Sequence, residues 1–183
     1  MDEPILFIFT GPSGSGKGSV MRALLQKDPS LHKVVTFTTR PPRPGEQNGF
    51  DYRFVSPEEF HRLEASGEVY ESEKVYHDYY YGSPRDLFLF GQDSIIELDY
   101  KGRQTYLAQR NISAVSIFLL PPSDLNELKR RIIARGQENN LEARLKNALE
   151  QVSHAQCYDY IVANDGLLET CVQAVETIIR AER

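Results

Sequence analysis

A glycine-rich segment near the amino terminus carries the clearest chemical signal in this chain. It runs Gly11-Pro-Ser-Gly-Ser-Gly-Lys17, after an apolar run at residues 5–9 and before a helix-compatible run at residues 19–26. Glycines let successive backbone N–H groups point inward at phosphate oxygens, and a helix amino terminus adds partial positive charge. The lysine then reaches the outer phosphates. Because a strand precedes and a helix follows, this segment predicts a nucleotide phosphate-binding loop rather than a chance turn.

The residue after the loop lysine departs from the usual pattern. A serine or threonine at that position places its hydroxyl on Mg²⁺, whereas this chain has Gly18, with Ser19 one residue later. Ser19 is rotated by about 100° around the helix and cannot simply take over that contact. Mg²⁺ usually keeps several of its waters, so the ion can instead be held through water. The phosphate cradle itself is unaffected.

A proline-rich segment further along the chain holds a second set of charged residues. Arg40 and Arg43 lie three positions apart among stiff prolines, and Tyr52 follows in the same segment. Guanidinium groups on a rigid backbone form a forked set of donors that suits a phosphate monoester, and a phenol can add a neutral donor. On spacing alone, a phosphate site and a solvated proline-rich turn are equally good interpretations.

Composition and charge limit the class of protein. The chain has 183 residues and a net charge of −5, which suits one small globular domain without the basic footprint of nucleic-acid or membrane binding. An anionic substrate must therefore be met by locally placed arginines. No apolar run reaches membrane-spanning length, and the acidic amino terminus is unlike a signal peptide. Cys157 and Cys171 lack metal-ligand spacing, which predicts reduced thiols in a cytoplasmic protein.

Alternating apolar runs and amphipathic stretches predict the elements that position these groups. Buried parallel strands are predicted at residues 5–9, 94–98, 115–120 and 160–162. Helices are predicted at residues 19–26, 102–109, 124–134, 141–155 and 167–181. This order indicates an α/β fold with helices on both faces of a parallel sheet. Residues 34–91 differ, with β-type and turn residues, and are predicted to form an inserted substrate-binding lobe.

Several motifs, in order along essentially the whole chain, resemble those of the guanylate kinase family, which transfers phosphate from ATP to GMP. They are the phosphate loop, Thr38-Thr-Arg-Pro-Pro-Arg-Pro-Gly-Glu46, Tyr80-Tyr-Gly-Ser83, Pro121-Pro-Ser123, Arg135-Gly136, Tyr158-Asp-Tyr160 and Asn164-Asp165. The resemblance implies a three-layer P-loop kinase fold with a parallel sheet core, a β-rich GMP-binding lobe and a helical lid, all in a single domain. These parts would span residues 1–33 with 92–183, residues 34–91 and residues 124–144.

The resemblance also implies binding residues, motif by motif. The GMP phosphate would be bound by Arg40, Arg43, Tyr52 and Tyr81, and guanine by Thr36, Glu71, Ser83 and Asp99. ATP would be bound by Gly11, Pro12, Ser13, Gly14, Ser15, Gly16, Lys17, Gly18, Ser19 and Asn164. Carboxylates suit guanine because its N1–H and N2–H₂ groups are adjacent donors, which adenine lacks. Asp99 also fits a helix amino-terminal cap, and the two interpretations can coexist.

Charge at the transferring phosphoryl group would be stabilised by Lys17 and by three later arginines. Arg131, Arg135 and Arg144 match family positions that close over ATP, although the segment between the last two is shorter than usual. Phosphoryl transfer needs positive charge over the equatorial oxygens. It needs no side-chain base here, because the GMP phosphate oxygens are already ionised. Catalysis would therefore rest on positioning and electrostatics.

Two positions near the expected metal and base depart from the family. Glu97 stands where guanylate kinases usually have aspartate, which keeps the charge but adds a methylene group. The Mg²⁺ ion is accordingly expected at Glu97 or, through water, at Ser19. Lys101 stands where a glutamine commonly precedes Gly102. No role for Lys101 follows from the sequence.

Two other functions stay open on the sequence alone. A related P-loop kinase could act on a phosphorylated sugar such as ribose 1,5-bisphosphate, although Glu71 and Asp99 would be needless there. A non-catalytic guanylate-kinase-like module would bind GMP or a phosphopeptide without turnover; Gly18 favours it and Lys17 argues against it. The partners expected of the enzyme are ATP and GMP, with no nucleic acid and no membrane. Association into a homo-oligomer is left open.

Overall fold

Strands and helices alternate along the computed structural model, which describes residues 3–75, 78–87, 91–108, 112–134 and 141–183. The strands are β1 (Ile5–Thr10), β2 (His32–Lys33), β3 (Phe37–Thr38), β4 (Arg53–Phe54), β5 (Val69–Val75), β6 (Tyr79–Pro84), β7 (Ser94–Glu97), β8 (Ser113–Leu119) and β9 (Tyr160–Val162). The helices are α1 (Lys17–Lys27), α2 (Pro57–Ser66), α3 (Tyr100–Leu107), α4 (Leu125–Ile133), α5 (Leu141–Ser153) and α6 (Leu168–Glu182). A short 3₁₀ helix spans Ala155–Cys157.

Five strands form a parallel sheet in the order β2-β7-β1-β8-β9. β1 pairs with β7 on one side and β8 on the other, and it is buried because helices cover both faces. Phe7 and Phe9 pack against α1 and α6. Leu6 and Ile8 point to the opposite face, where they pack with Tyr106 of α3. The core therefore has three layers, which confirms the predicted α/β fold.

The elements of this core follow the sequence pattern closely. All four predicted parallel strands and all five predicted helices occur, with ends within two residues of the prediction. Strand β2 at the sheet edge is not predicted, because two residues are too few for a periodic signal. None of the described helices is both long and apolar enough to cross a bilayer.

Residues 34–91 contain a second sheet of four strands in the order β4-β3-β6-β5. β6 is antiparallel to both β3 and β5, whereas β4 runs parallel to β3. Phe37 of β3 pairs with Gly82 of β6, so Thr36 and Ser83 lie at the same end of this pair. In β5 and β6, Glu71 faces Ser83 across the ladder. The sheet thereby gathers predicted guanine ligands from three separate segments.

Helix α2 also lies in this block, although the sequence pattern predicts only strands and turns there. The signal for it is local. Ser56 caps the helix by accepting a hydrogen bond from Glu59 N at 3.2 Å, with Pro57 in the first turn. Gly67 ends the helix in the left-handed region, with a φ of 76°. Phe60 of this helix is fully buried and stacks on Tyr80 of β6.

Part of the predicted lid falls outside the described residues. Helix α4 and the start of α5 are described, whereas residues 135–140 between them are not. Arg135 is among the latter, so its role remains a prediction. Leu128 and Ile132 of α4 pack with Ala148 of α5, which joins the two helices through a small apolar cluster.

The two cysteines differ in environment, and this difference predicts their reactivity. Cys157 is a free thiol at the surface, whereas Cys171 is buried in α6 against the parallel sheet. Burial raises the pKa of the Cys171 thiol to about 11, and the thiolate is the reactive form. We predict that an aromatic disulfide reagent labels one thiol of the native protein rapidly at roughly pH 8 and both in urea. A fast-reacting thiol persisting in Cys157→Ser would contradict this.

Candidate active site

The loop between β1 and α1, residues 11–17, lies at the carboxyl end of the central strand. Gly14 and Gly16 have φ angles of 85° and 91°, which glycine adopts without strain. A Cβ on Gly14 would lie 2.6 Å from Leu128 Cδ1, so a side chain there would also clash. Gly16 caps α1 without a side chain that could accept hydrogen bonds from the first turn. Ser19 N and Val20 N donate to Gly16 O, and the amino terminus of α1 points its partial positive charge at the loop, which suits an anion.

Asn164 supports this loop from the segment after β9. Its Nδ2 donates to Ser15 O at 2.7 Å, and the residue is buried. A Cβ on Gly16 would lie only 2.4 Å from that nitrogen. The loop engages one of the two N–H bonds of this amide, so the predicted contact of Asn164 with adenine is left to the other N–H or to the oxygen. The sequence pattern does not predict this supporting role, since the two segments are far apart in the chain.

A pocket of about 320 Å³ lies beside the phosphate loop. It brings together four predicted ATP ligands with the predicted catalytic Arg131; the four are Gly14, Gly16, Ser19 and Asn164. Its lining comprises Gly14, Gly16, Ser19, Arg130, Arg131, Ala134, Asn164, Gly166 and Leu168. Arg144, another predicted catalytic residue, lies near the start of α5 and is not part of this lining.

Glu127 orients the arginines of α4. Arg131 Nε donates to Glu127 Oε1 at 2.7 Å, and Arg130 binds the same carboxylate at 2.7 and 2.8 Å. The two guanidinium groups lower the pKa of Glu127 to about 2. Glu127 thus stays ionised and holds Arg131 beside the loop. Its spacing of four residues from Arg131 is the signal that could have identified this pair from the sequence.

Lys17 connects the phosphate loop with strand β7. Its Nζ donates to the carbonyl oxygens of Gly11 and Pro12, the latter at 3.2 Å, and lies 3.4 Å from Glu97 Oε1. Glu97 reaches this position because β7 pairs with β1 in a register that sets it opposite Phe9. A carboxylate beside a phosphate loop suits Mg²⁺, which is commonly held by one or two carboxylates together with phosphate oxygens and water. Glu97 therefore fits the predicted metal site.

Glu46 organises the predicted phosphate-binding arginines of the second sheet. Arg40 is buried and donates to both Glu46 oxygens, at 2.9 and 2.8 Å, while Arg43 N donates at 2.7 Å. Burial opposes ionisation of Glu46, but the hydrogen bonds from Arg40 and Arg43 outweigh it and lower its pKa. This carboxylate belongs to the proline-rich motif, yet no role for it is predicted from spacing.

Two tyrosines complete this arginine cluster. The Arg40 guanidinium lies 5.5 Å from the ring centroid of Tyr52, and the Tyr52 and Tyr81 rings meet edge to face at 6.0 Å. Burial raises the pKa of the Tyr52 hydroxyl well above its ordinary value, so Tyr52 stays a neutral donor. All four residues predicted to bind the GMP phosphate, Arg43 included, are thus brought together.

A larger cleft, of about 800 Å³, separates this cluster from the phosphate loop. Its lining includes Lys17, Ser19 and Glu97 from the core together with Arg43 and Tyr52 from residues 34–91. The side chains predicted to bind two different phosphates therefore line one common space.

Two basic residues of the core, neither of them predicted, also line this cleft. Arg22 of α1 pairs with Asp51 at 2.8 Å, and Lys33 of β2 donates to the carbonyl oxygens of Phe50 and Asp51. They attach the segment that leads to Tyr52 to the parallel sheet and its helix. No periodic pattern links these residues, because the contacts join separate segments of the chain.

The predicted guanine ligands form a separate cluster at the start of α3. Asp99 Oδ1 accepts a hydrogen bond from Gly102 N at 2.8 Å, which confirms the predicted helix cap. Ser83 Oγ donates to Glu71 Oε1 at 2.6 Å. A Cβ on Gly102 would lie 3.4 Å from both Asp99 Oδ1 and Glu71 Oε1, so the two carboxylates are close neighbours.

Glu73, which is not predicted as a site residue, joins this cluster. Desolvation and a hydrogen bond with the Glu73 carboxyl raise the pKa of Asp99 to about 7, although Asp99 keeps an exposed side. Burial raises the pKa of Glu71, whereas the contacts with Asp99 and Lys101 lower that of Glu73. Lys101 forms an ion pair with Glu73, which gives this unexplained lysine a partner.

The phosphate loop after a central parallel strand, followed directly by a helix, defines the chain as a P-loop α/β nucleotide-binding protein. The arginine and carboxylate clusters beside that loop narrow the class to proteins that bind a second phosphorylated ligand. A model of the family described as guanylate kinase matches residues 3–182. The chain belongs to the guanylate kinase family.

Relatives that are named guanylate kinase match this chain over nearly its whole length. A guanylate kinase from Nitrosomonas europaea is 42% identical over 186 residues, covering 97% of this chain and 90% of the relative. One from Paramagnetospirillum magneticum is 38% identical, covering 98% and 85%. The crystal structure of guanylate kinase from Anaplasma phagocytophilum superposes with a TM-score of 0.79 at 31% identity, covering all of this chain and 87% of that structure.

Alanine substitutions at Gly16 and Gly18 should have opposite effects. Alanine at Gly16 is strained at a φ of 91° and clashes with Asn164, whereas a Cβ on Gly18 would meet nothing within 4 Å. We expect Gly16→Ala to lower the free energy of unfolding by about 1–3 kcal/mol. Gly18→Ala should leave it unchanged or raise it by up to about 1 kcal/mol. Urea unfolding of both variants measures this, and equal losses would contradict the loop geometry.

Removing the Glu46 carboxylate should destabilise the fold, because the buried Arg40 would lose its counter-ion. We expect Glu46→Gln to lower the free energy of unfolding by about 3 kcal/mol. Glu59→Gln is the matched control, since Glu59 pairs with Arg62 on the exposed face of α2; its unfolding midpoint should barely move. Urea unfolding compares the two, and similar midpoints would show that Glu46 does not hold Arg40.

Proposed function

We propose that this member of the guanylate kinase family is an enzyme that transfers the γ-phosphoryl group of ATP to GMP, giving ADP and GDP. One observation carries the proposal: Lys17 and Ser19 line the same cleft as Arg43 and Tyr52. Two phosphorylated ligands bound from opposite sides would meet there, as direct transfer requires. The family model and relatives named guanylate kinase over nearly the whole chain support this reaction.

On the ATP side, we infer that the loop N–H groups and Lys17 bind the phosphates. Arg131, held by Glu127 beside the pocket at Gly16, would stabilise the charge that spreads over the transferring group. Arg135 and Arg144 would add to it through closure of the lid. Bound Mg²⁺ would neutralise charge on the phosphate oxygens, and Glu97 and Ser19 are the residues that would hold it, directly or through water.

On the GMP side, the arginine cluster would bind the acceptor phosphate. Arg40 is already fixed by Glu46, so its remaining N–H groups need no reorganisation to meet an anion. Arg43 and Tyr81 would complete the cradle, and Tyr52 would donate from its neutral hydroxyl. An ionised GMP phosphate oxygen held in this way can attack the γ-phosphorus in line without help from a base.

The base would be recognised in the cluster at the start of α3. Glu71 and Asp99 would accept hydrogen bonds from guanine N1–H and N2–H₂, while Thr36 and Ser83 would serve its oxygen and fix the carboxylates. Adenine would leave both acidic side chains without donors, which a closed site penalises strongly. A sugar phosphate has no base and would likewise leave Glu71 without its N–H donors, so the Glu71–Ser83 pair favours GMP. Closure of the lobe and lid would exclude water.

The test is ADP release from ATP and Mg²⁺ with GMP, AMP, UMP or ribose 1,5-bisphosphate offered separately. We expect turnover with GMP, and a loss of at least about a hundredfold in kcat for Lys17→Ala because a phosphate-bound cation is removed. Lys27→Ala is the control: Lys27 ends the same helix and pairs with Glu169 at 2.5 Å on the surface. It should leave kcat unchanged.

Three other outcomes would overturn the proposal. Turnover with ribose 1,5-bisphosphate alone would agree with the assigned phosphate loop but would show that the substrate is a sugar phosphate and not GMP. Binding of GMP without turnover would identify a binding module. Full activity in Lys17→Ala would show that the loop lysine does not stabilise the transferring charge.

A further inference from the structure

Glu73 and Lys101 form an ion pair that the proposed reaction does not use. Glu73 lies two residues after Glu71 in β5, so both side chains project from one face of the strand. The register of β5 with β6 sets Glu71 opposite Ser83 and Glu73 opposite Tyr81. Directly opposed residues share a face of the sheet. Glu73 therefore lies on the face that carries the proposed ligands of the base and of the GMP phosphate.

Each of three neighbouring carboxylates has one oxygen that accepts a hydrogen bond from the protein. Ser83 donates to Glu71 Oε1. Gly102 N donates to Asp99 Oδ1. The Lys101 ammonium donates to Glu73 Oε1. The second oxygen of Glu73, Oε2, is buried and has no N–H or hydroxyl donor among the described residues. The Asp99 carboxyl hydrogen-bonds that of Glu73, and it can donate only while it is protonated.

A buried acceptor without a donor is unfavourable, and a bound ligand that supplies the donor removes that cost. The Glu73 carboxyl contacts that of Asp99, a proposed guanine ligand that keeps an exposed side. The Lys101 side chain is 74% exposed, so it compensates the charge of Glu73 from outside the cluster. The cluster therefore holds an acceptor oxygen in contact with the proposed base site.

Guanine offers three N–H bonds along its N1–N2 edge, one at N1 and two at the 2-amino group. When Asp99 is ionised, the carboxylates of Glu71, Asp99 and Glu73 each keep one oxygen beyond those that accept from Ser83, Gly102 and Lys101. We propose that Glu73 is a further specificity-determining residue, whose Oε2 accepts a hydrogen bond from the guanine 2-amino group. This inference rests on the proposed function for the placement of GMP. Hypoxanthine keeps N1–H and O6 but lacks the 2-amino group, so it leaves Glu73 without a donor.

The experiment compares GMP with inosine 5′-monophosphate, as substrates and as ligands measured by calorimetry. Glu73→Ala and Glu73→Met both remove the acceptor, and methionine keeps the length of the side chain. We expect kcat/KM for GMP to fall about tenfold to a hundredfold in both variants. The value for inosine monophosphate should change by less than about threefold, because that ligand makes no contact with Glu73.

Lys74→Gln is the matched control. Lys74 is the next residue of β5, faces the other side of the sheet and pairs with Asp78 at 2.9 Å. Its replacement removes an ion pair from the same strand without touching the base cluster. Both nucleotides should be used as by the wild-type protein.

The preference for GMP over inosine monophosphate decides the inference. Equal losses for the two nucleotides would show that Glu73 acts only through Asp99 or the fold, and would overturn it, as would no change in either. If the wild-type protein binds GMP but does not phosphorylate it, the proposed function fails. The dissociation constants of the two nucleotides then test Glu73 by the same comparison. Absence of GMP binding to the wild-type protein would overturn both.

Discussion

The parallel pairing of β1 with β7 and β8 is the constraint on which the active site depends. It sets Glu97 level with Phe9, one residue before the strand ends, so a carboxylate and the phosphate loop lie at the same edge. β1 can occupy the centre because its side chains are apolar on both faces. A residue that shifted this register would move Glu97 away from Lys17 while leaving the loop sequence intact.

Carboxylates position the cations of this acidic protein. Glu46 holds Arg40 and the backbone of Arg43, and Glu127 holds Arg131. Each carboxylate lies within six residues of the arginine it binds, so each charged site is assembled locally. The chain therefore concentrates positive charge at the cleft despite a net charge of −5. Arginines fixed in advance meet an anion without losing much conformational entropy.

Local patterns predicted the core and the phosphate loop, because β1 and α1 each carry their signal within a few residues. The positions of the arginines also followed from motifs. Contacts between distant segments could not be predicted, such as Asn164 with Ser15 or Lys33 with Phe50. Such pairs depend on how whole elements pack, and no periodicity records that packing. Helix α2 could have been predicted, because its capping residues are local signals in the sequence. It was missed because the residues around it are typical of strands and turns.

Ion pairs attach the second sheet to the core near both of its edges. Asp51 binds Arg22 just before β4, and Glu73 of β5 binds Lys101 at the opposite edge. Two further contacts lie beside these ion pairs: Lys33 donates to the carbonyl oxygens of Phe50 and Asp51, and Tyr106 of α3 donates to Pro84 O at 3.1 Å. The Arg22–Asp51 and Lys101–Glu73 ion pairs each have an exposed cation, and salt weakens such pairs. Ionic strength should therefore weaken the two ion pairs while the neutral hydrogen bond from Tyr106 to Pro84 stays in place.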